Sequence, residues 1–207
     1  MVIRHLLCAV VALSTMVGAG NAPHAAVSRD PVAFIDNLAN HTLKILGEHL
    51  PPAEREQRFK TLLFENFDMP RISRYVLGRY WQAGSSQEKE EFQRLLPDYV
   101  ARSYSNRFAS YSGETVKVTR SRPAGEDTTV VSSQIINPSG APPISSEWRV
   151  VRTGNDFRIT DVVVDGVSLV LTHRQEFAAV IEQQGGGVSA LNRMLREKLG
   201  ISAAATQ

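Results

Sequence analysis

The sequence predicts an α+β fold: a helical first half, a four-stranded antiparallel sheet, and helices again at the C-terminus. Three observations predict it. Between Asp30 and Tyr111 apolar residues recur at three- and four-residue steps, which is the spacing of one helix face. From Thr115 onward the pattern shortens to alternating β-branched residues, interrupted by clusters of Gly, Pro and Asn. Finally, the stretch FRITDVVVDGVSLVLTHRQEF, Phe157 to Phe177, begins with a strand pattern, turns at Asp165-Gly166 and continues with a helical period. A strand that passes its apolar surface straight to an amphipathic helix makes a corner, so any cavity is expected between the sheet and the helices.

The elements follow in order. Asp30 is placed to cap a first helix, Pro31 suits its first turn, and Phe34, Ile35, Leu38, Thr42, Ile45 and Leu46 form its face. Pro51-Pro52 ends that helix and starts a second, with Phe59, Leu62 and Leu63 inward. A third begins near Asp68-Met69-Pro70, runs through Ile72, Tyr75 and Val76, and is closed by Gly78. Ser85 with Glu88 reads as a capping box for the longest helix, whose stripe extends from Phe92 to Tyr111. Pro97 lies inside that stripe and is expected to kink or interrupt it, because it lacks the donor and crowds the preceding turn. Strands are expected over Thr115 to Arg122, Thr128 to Asn137 and Ile144 to Arg152, with Trp148 and Val150 on a common face. Short connections to the fourth strand imply an antiparallel meander. The helical period resumes at Val167, and after Gly185-Gly186-Gly187 a last helix runs from about Ser189 to Leu199. Ile201 to Gln207 reads as a loose tail.

The first 26 residues read differently. A short positive start at Arg4 and His5, an apolar run from Leu6 to Gly18 and small residues at Ala22 and Ala26 predict a cleavable secretory signal peptide. His5-Leu6-Leu7 before Cys8 is a poor lipoprotein signal, so no lipid anchor is expected. Cys8 is the single cysteine, so the remaining chain is expected to have neither disulfide nor thiol chemistry. Without Arg4 the balance is 22 basic against 21 acidic residues, a net charge of +1, which is no electrostatic footprint for nucleic acid. The exposed aromatic candidates therefore read as core or pocket lining rather than as a base-stacking platform.

Candidate catalytic groups are few. Gly166-Val167-Ser168-Leu169-Val170 has the serine of a nucleophile elbow but Val170 where the motif needs Gly, and His173 and then Glu176 follow in the wrong order. Ser168 is therefore read as a helix cap. Asp161 and Asp165 share a face while the segment is a strand; they suit acid–base work, a turn, or pairing with Arg158 or Arg174. His24, His41 and His49 have no zinc-ligand spacing with carboxylates, and no metal or cofactor is expected.

Three segments carry a wider resemblance: FENFDMPRISRYVLGRYW (64–81), EFQRLLPDYVARSYSNRFASY (91–111) and ITDVVVDGVSLVLTHRQEF (159–177). In this order they resemble the toluene-tolerance or Mla family of periplasmic phospholipid carriers, from about Asp30 to Leu199. The most specific pieces are Val76-Leu77-Gly78 with Trp81, and Asp161 through Asp165-Gly166-Val167-Ser168. Pro97 departs from the family pattern of the long helix. The resemblance implies a curved, cone-shaped sheet, like that of nuclear transport factors, wrapped by helices in a single lipid-binding domain over residues 27–207. Within it the helical part spans about 30–111, the sheet about 115–166 and the C-terminal helices about 168–199. It also implies a monomeric periplasmic carrier, not an enzyme, with no catalytic residues. Its cargo is phospholipid or another acyl lipid, passed between an outer-membrane lipoprotein complex and an inner-membrane ABC transporter complex with a lipid-binding ring, in support of outer-membrane lipid asymmetry. Some relatives are associated with hopanoid biosynthesis, so a hopanoid-associated carrier is an alternative.

For such a carrier the expected lipid-binding residues are Val76, Leu95, Tyr99, Tyr104, Phe108, Val118, Trp148, Val150, Val162, Val164, Val167, Leu169 and Val170. Each is equally at home as a packed core position. Two other function classes fit the same pattern. One is a small-molecule enzyme on a cone-shaped sheet-and-helix fold with Asp161 or His173 as base, which requires a small, polar-ended pocket. The other is an envelope chaperone, which requires an exposed apolar groove.

Overall fold

A computed structural model describes residues 30–48, 50–105 and 111–201. The expected signal peptide, His24, His49, Phe108 and the tail beyond Ile201 lie outside the described residues. The helices are α1 (Pro31–Gly47), α2 (Pro52–Asn66), α3 (Met69–Leu77), α4 (Tyr80–Ala83) and α5 (Ser86–Ser105). The strands β1 (Thr115–Pro123), β2 (Thr128–Ile136), β3 (Ile144–Thr153), β4 (Asp156–Val164) and β5 (Val167–Ser168) follow, then helices α6 (Leu169–Gln184) and α7 (Gly187–Leu199).

Local chemistry sets most boundaries. The Asp30 carboxylate accepts the Val32 N–H at 3.0 Å and starts α1. Asp68 does the same for Arg71 at 3.1 Å and starts α3. Gly78 ends α3 at φ 51, and a Cβ there would lie 2.8 Å from the Arg174 Nε of α6, so the glycine permits both the turn and the approach of α6. The Ser85 hydroxyl accepts the Glu88 N–H at 3.2 Å, and the Glu88 carboxylate accepts the Ser85 N–H at 2.8 Å, a complete capping box.

The sheet is an antiparallel meander in the order β1-β2-β3-β4-β5. Bulges between Val118 and Arg120 and between Arg149 and Val150 break the register and bend the strands, which gives the sheet its curvature. Five strands rather than the expected four result from the turn itself. Asp165 and Gly166 both take positive φ, 47° and 81°, which suits a tight two-residue hairpin. Val167 and Ser168 consequently pair back onto Val164 and Val163 before α6 begins.

Three further expectations are corrected. Helix α5 runs unbroken through Pro97, which is itself buried between Leu96 and Ala101. Proline inside a helix costs ~3 kcal/mol, but the helix is held by the packing of Phe92, Leu95, Leu96 and Ala101 in the core rather than by its own hydrogen bonds. Tyr111 is not in that helix; it lies in the connection to β1, with its hydroxyl donating to the Glu114 carbonyl at 3.2 Å. The last helix begins at Gly187 rather than about Ser189, close behind Gly185, the left-handed C-cap of α6.

The core has two parts. One is formed by α2, α3, α5, α6 and α7 around Phe92, Phe177, Leu96 and Leu191. The other joins α1 to the inner face of the sheet through Ile35, Leu38, Val131, Val150, Phe157 and Ile159. Phe59 and Phe67 of the second helix and its C-cap pack against both. Between Phe67 and Ile159 a parallel bridge, with the Asp68 N–H donating to the Ile159 carbonyl at 2.9 Å, fastens the start of α3 to the middle of β4.

The capping box generates a pH-dependent prediction. The Ser85 backbone N–H and hydroxyl hold the Glu88 carboxyl below its ordinary value of about 4.5. A depressed folded value stabilises the protein above 4.5, and the contribution disappears as pH falls through the lowered value. Replacing Glu88 by Ala should lower the melting temperature by about 2 °C at pH 7. In melts taken at successively lower pH, that gap should close below pH 4.5.

Candidate functional site

The chain folds so that one cavity opens where the two parts of the core meet. It is lined by Leu63 and Phe67 from α2 and its cap, and by Met69, Ile72 and Val76 from α3. Leu96, Val100 and Tyr104 come from α5, Asp161 and Val162 from β4, and Leu169, Val170 and His173 from α6. Each helix contributes residues three or four apart, which is the reason a single face of each can wall the cavity. Leu63, Met69, Ile72, Val76 and Leu96 are buried and form the floor. Val100, Tyr104, Val162, Leu169 and His173 are half-buried and form the mouth.

The enclosed space is about 70 Å³, and with its open mouth the empty volume is about 480 Å³. An engineered cavity of ~150 Å³ holds one benzene. A long hydrocarbon chain therefore enters only as the walls part. The first turn of α6 is tied to β4. The buried Asp161 carboxylate accepts the Ser168 hydroxyl at 2.7 Å and the Val170 N–H at 3.2 Å, and Arg149 Nε stands 3.6 Å away. Ser168 also caps the helix, its oxygen accepting the Leu171 N–H at 3.0 Å.

These contacts bear on the candidate catalytic groups. Asp161 and Asp165 do not act as a pair. The Asp165 carboxylate accepts the Ser145 N–H at 3.0 Å and secures the hairpin, while Asp161 secures the helix. Arg149, rather than Arg158 or Arg174, is the cation beside Asp161. Arg158 donates to the Phe157 carbonyl at 2.9 Å, and the Arg174 guanidinium lies 5.2 Å from the Tyr75 ring centroid. The Ser168 hydroxyl is committed to Asp161 and Leu171. His173 turns instead to the Tyr104 hydroxyl, 3.3 Å from its Nε2, and to the Glu176 carboxylate, 3.0 Å from its Nδ1. Among the described residues no group of acidic, histidine or cysteine side chains could hold a metal ion.

Of the residues singled out in the sequence, Val76, Tyr104, Val162, Leu169 and Val170 line the cavity. Leu95 and Tyr99 lie in the helical core, where the Tyr99 ring sits 5.8 Å from Phe177 and 6.1 Å from His173. Val118, Trp148 and Val150 belong to the core between sheet and α1. Trp148 faces inward, its indole N–H donating to the Ser133 hydroxyl at 2.9 Å. Val164 is half-buried at the end of β4, and its partner Val167, on the edge strand β5, is 56% exposed. Phe108 is outside the described residues. Leu63, Phe67, Met69, Ile72, Leu96 and Val100 also line the cavity; their signal was the spacing Met69-Ile72-Val76 and Leu96-Val100-Tyr104.

Comparison with known proteins bears on the whole chain. The family model described as MlaC protein matches residues 36–197. A curated relative, the intermembrane phospholipid transport system binding protein MlaC of Haemophilus influenzae, is 22% identical over 113 residues. That match covers 53% of this chain and 53% of the relative, so the chain spans about half the length of the curated relative it matches. A solved structure of a phospholipid-binding protein from Ralstonia solanacearum, in complex with a phospholipid, superposes with a TM-score of 0.69 at 25% identity. The superposition covers 83% of this chain and 97% of that one.

The Asp161–Ser168 tie changes what is expected of the corner. As a cap alone, Ser168 would contribute ~1 kcal/mol, less than the strain of placing valine at Gly166. Losing the hydroxyl also removes a donor from a buried carboxylate, a further ~1–3 kcal/mol. Ser168→Ala should therefore destabilise by about 2–3 kcal/mol, as much as Gly166→Val, while Ser168→Thr, which keeps the hydroxyl, should change little. Denaturant titration decides it; a loss under ~1 kcal/mol for Ser168→Ala would mean the tie adds nothing to the cap.

Proposed function

The chain belongs to the MlaC family, and from that premise we propose that it is a periplasmic lipid carrier, exported by its first 26 residues. It takes the acyl chains of a phospholipid into the cavity between α3, α5, α6 and β4 and leaves the head group at the mouth. It carries that lipid between an outer-membrane lipoprotein complex and an inner-membrane ABC transporter complex with a lipid-binding ring. The observation that carries the reading is the hydrocarbon-walled cavity at the seam between sheet and helices, in a fold shared with a protein solved in complex with phospholipid.

The energetics suit a carrier that needs partners. Each methylene removed from water contributes ~0.8 kcal/mol, so a chain of roughly fourteen contributes about 11 kcal/mol, enough to hold lipid in an aqueous compartment. A bilayer offers nearly the same gain, so transfer between membrane and cavity is close to balanced. Loading and release then depend on whatever parts the cavity walls, which is a role for docking partners. Among the described residues no helix is long and apolar enough to cross a membrane.

Organic extraction of the purified protein followed by mass spectrometry tests the reading and shows whether the cargo is a glycerophospholipid or a hopanoid. Leu169→Asp adds a carboxylate to the half-buried cavity wall, where it meets acyl chains with no Lys or Arg among the described lining residues. This variant should retain less than a tenth of the bound lipid, with an unchanged circular dichroism spectrum. Lys117→Asp, on the exposed edge strand, should retain all of it. Repeated extraction without any lipid from the parent protein would refute the carrier.

A further inference from the structure

We propose that Tyr104 reads the ester linkage of the bound lipid, with His173 and Glu176 as positioning residues; this rests on the carrier reading above. Among the described residues the cavity wall is hydrocarbon apart from Asp161, Tyr104 and His173. Asp161 is spent on the tie to α6, both oxygens accepting from Ser168 and Val170. Among the described residues that leaves Tyr104 of α5 and His173 of α6, half-buried and 3.3 Å apart, as the polar groups offered to a cargo.

Their geometry assigns the donor. Glu176 accepts from His173 Nδ1–H at 3.0 Å, so in the neutral ring Nε2 carries no hydrogen and accepts from the Tyr104 hydroxyl. The ring is held besides by stacking on Phe177, at 5.6 Å and 22° between planes, and by the edge-on contact with Tyr99. At 3.3 Å the bond from Tyr104 to Nε2 is long for a hydroxyl donor and is readily exchanged. The His173 side chain keeps 14% of its surface exposed.

A phospholipid whose chains fill the floor and whose head group is in solvent brings its ester carbonyls to this level. Each carbonyl loses hydration there, and an acceptor left without a donor in such a place is costly. The Tyr104 O–H swings from Nε2 to the carbonyl and supplies that donor. The site thereby favours acyl-ester lipids, and a carbonyl-free polycyclic or ether lipid gains nothing from Tyr104.

Delipidated protein loaded from detergent with dioleoyl phosphatidylglycerol, or with its dialkyl ether analogue, separates the possibilities. Tyr104→Phe should lower loading of the diester about tenfold and leave the diether within twofold. His173→Phe, which removes the group that orients Tyr104, should lower the diester about threefold with the diether again unchanged, and His173→Gln should recover most of that loss. Equal losses for both lipids, or none for the diester, overturn the assignment and leave the carrier standing. Failure of the parent protein to load either lipid refutes the carrier and this inference with it.

Discussion

A buried carboxylate ties the sheet to the helix that follows it. Asp161 stands on β4, and its two oxygens accept one hydrogen bond from the Ser168 side chain and one from the Val170 backbone at the start of α6. The placement is electrostatically favourable twice over, since the N-terminus of a helix attracts negative charge and Arg149 lies beside the carboxylate. The hairpin at Asp165-Gly166 brings the chain back upon β4, and the tie then directs α6 away from the sheet. Phe177 and Ile181 thus reach the helical core instead of folding onto the strands.

The cavity is a consequence of that geometry. Two apolar clusters meet along α2 and β4 and, among the described residues, share Phe59 and Phe67 as packed neighbours. Such a seam is where close packing is hardest to complete, because a curved sheet and a helix present surfaces of different shape. The bulges at Val118 and Arg149 increase the curvature. The space left at the seam is small, about 70 Å³, so most of the seam is closed by side-chain packing.

The polar groups inside the structure divide accordingly. Ser133, Ser146 and the Trp148 indole satisfy one another on the inner face of the sheet, away from the cavity. Asn192, fully buried between α7 and α5, donates to the Glu88 carbonyl and the Glu91 carboxylate and anchors the C-terminal helix. Tyr104 and His173 are half-buried and differ from these in lining the cavity.

The sequence alone determined the order and type of nearly all the elements, because the signals were local. Capping at Asp30, Ser85 and Ser168 depends on side-chain oxygens two or three residues from the backbone N–H groups that donate to them. The α+β class followed from the change of period between Tyr111 and Thr115. Tertiary structure decided what local rules cannot. Pro97 reads as a break and is carried through by core packing. The short helix α4 has no periodic signature and was missed. Trp148 and Val150 were correctly placed on the inner face, yet which inner residues meet α1 and which meet the cavity depends on where α1 lies, some hundred residues away in the chain. Val167 and Val164 looked alike in composition, but Val167 falls on β5 at the edge of the sheet, where it is exposed. Burial is shared among distant elements, and no local pattern carries it.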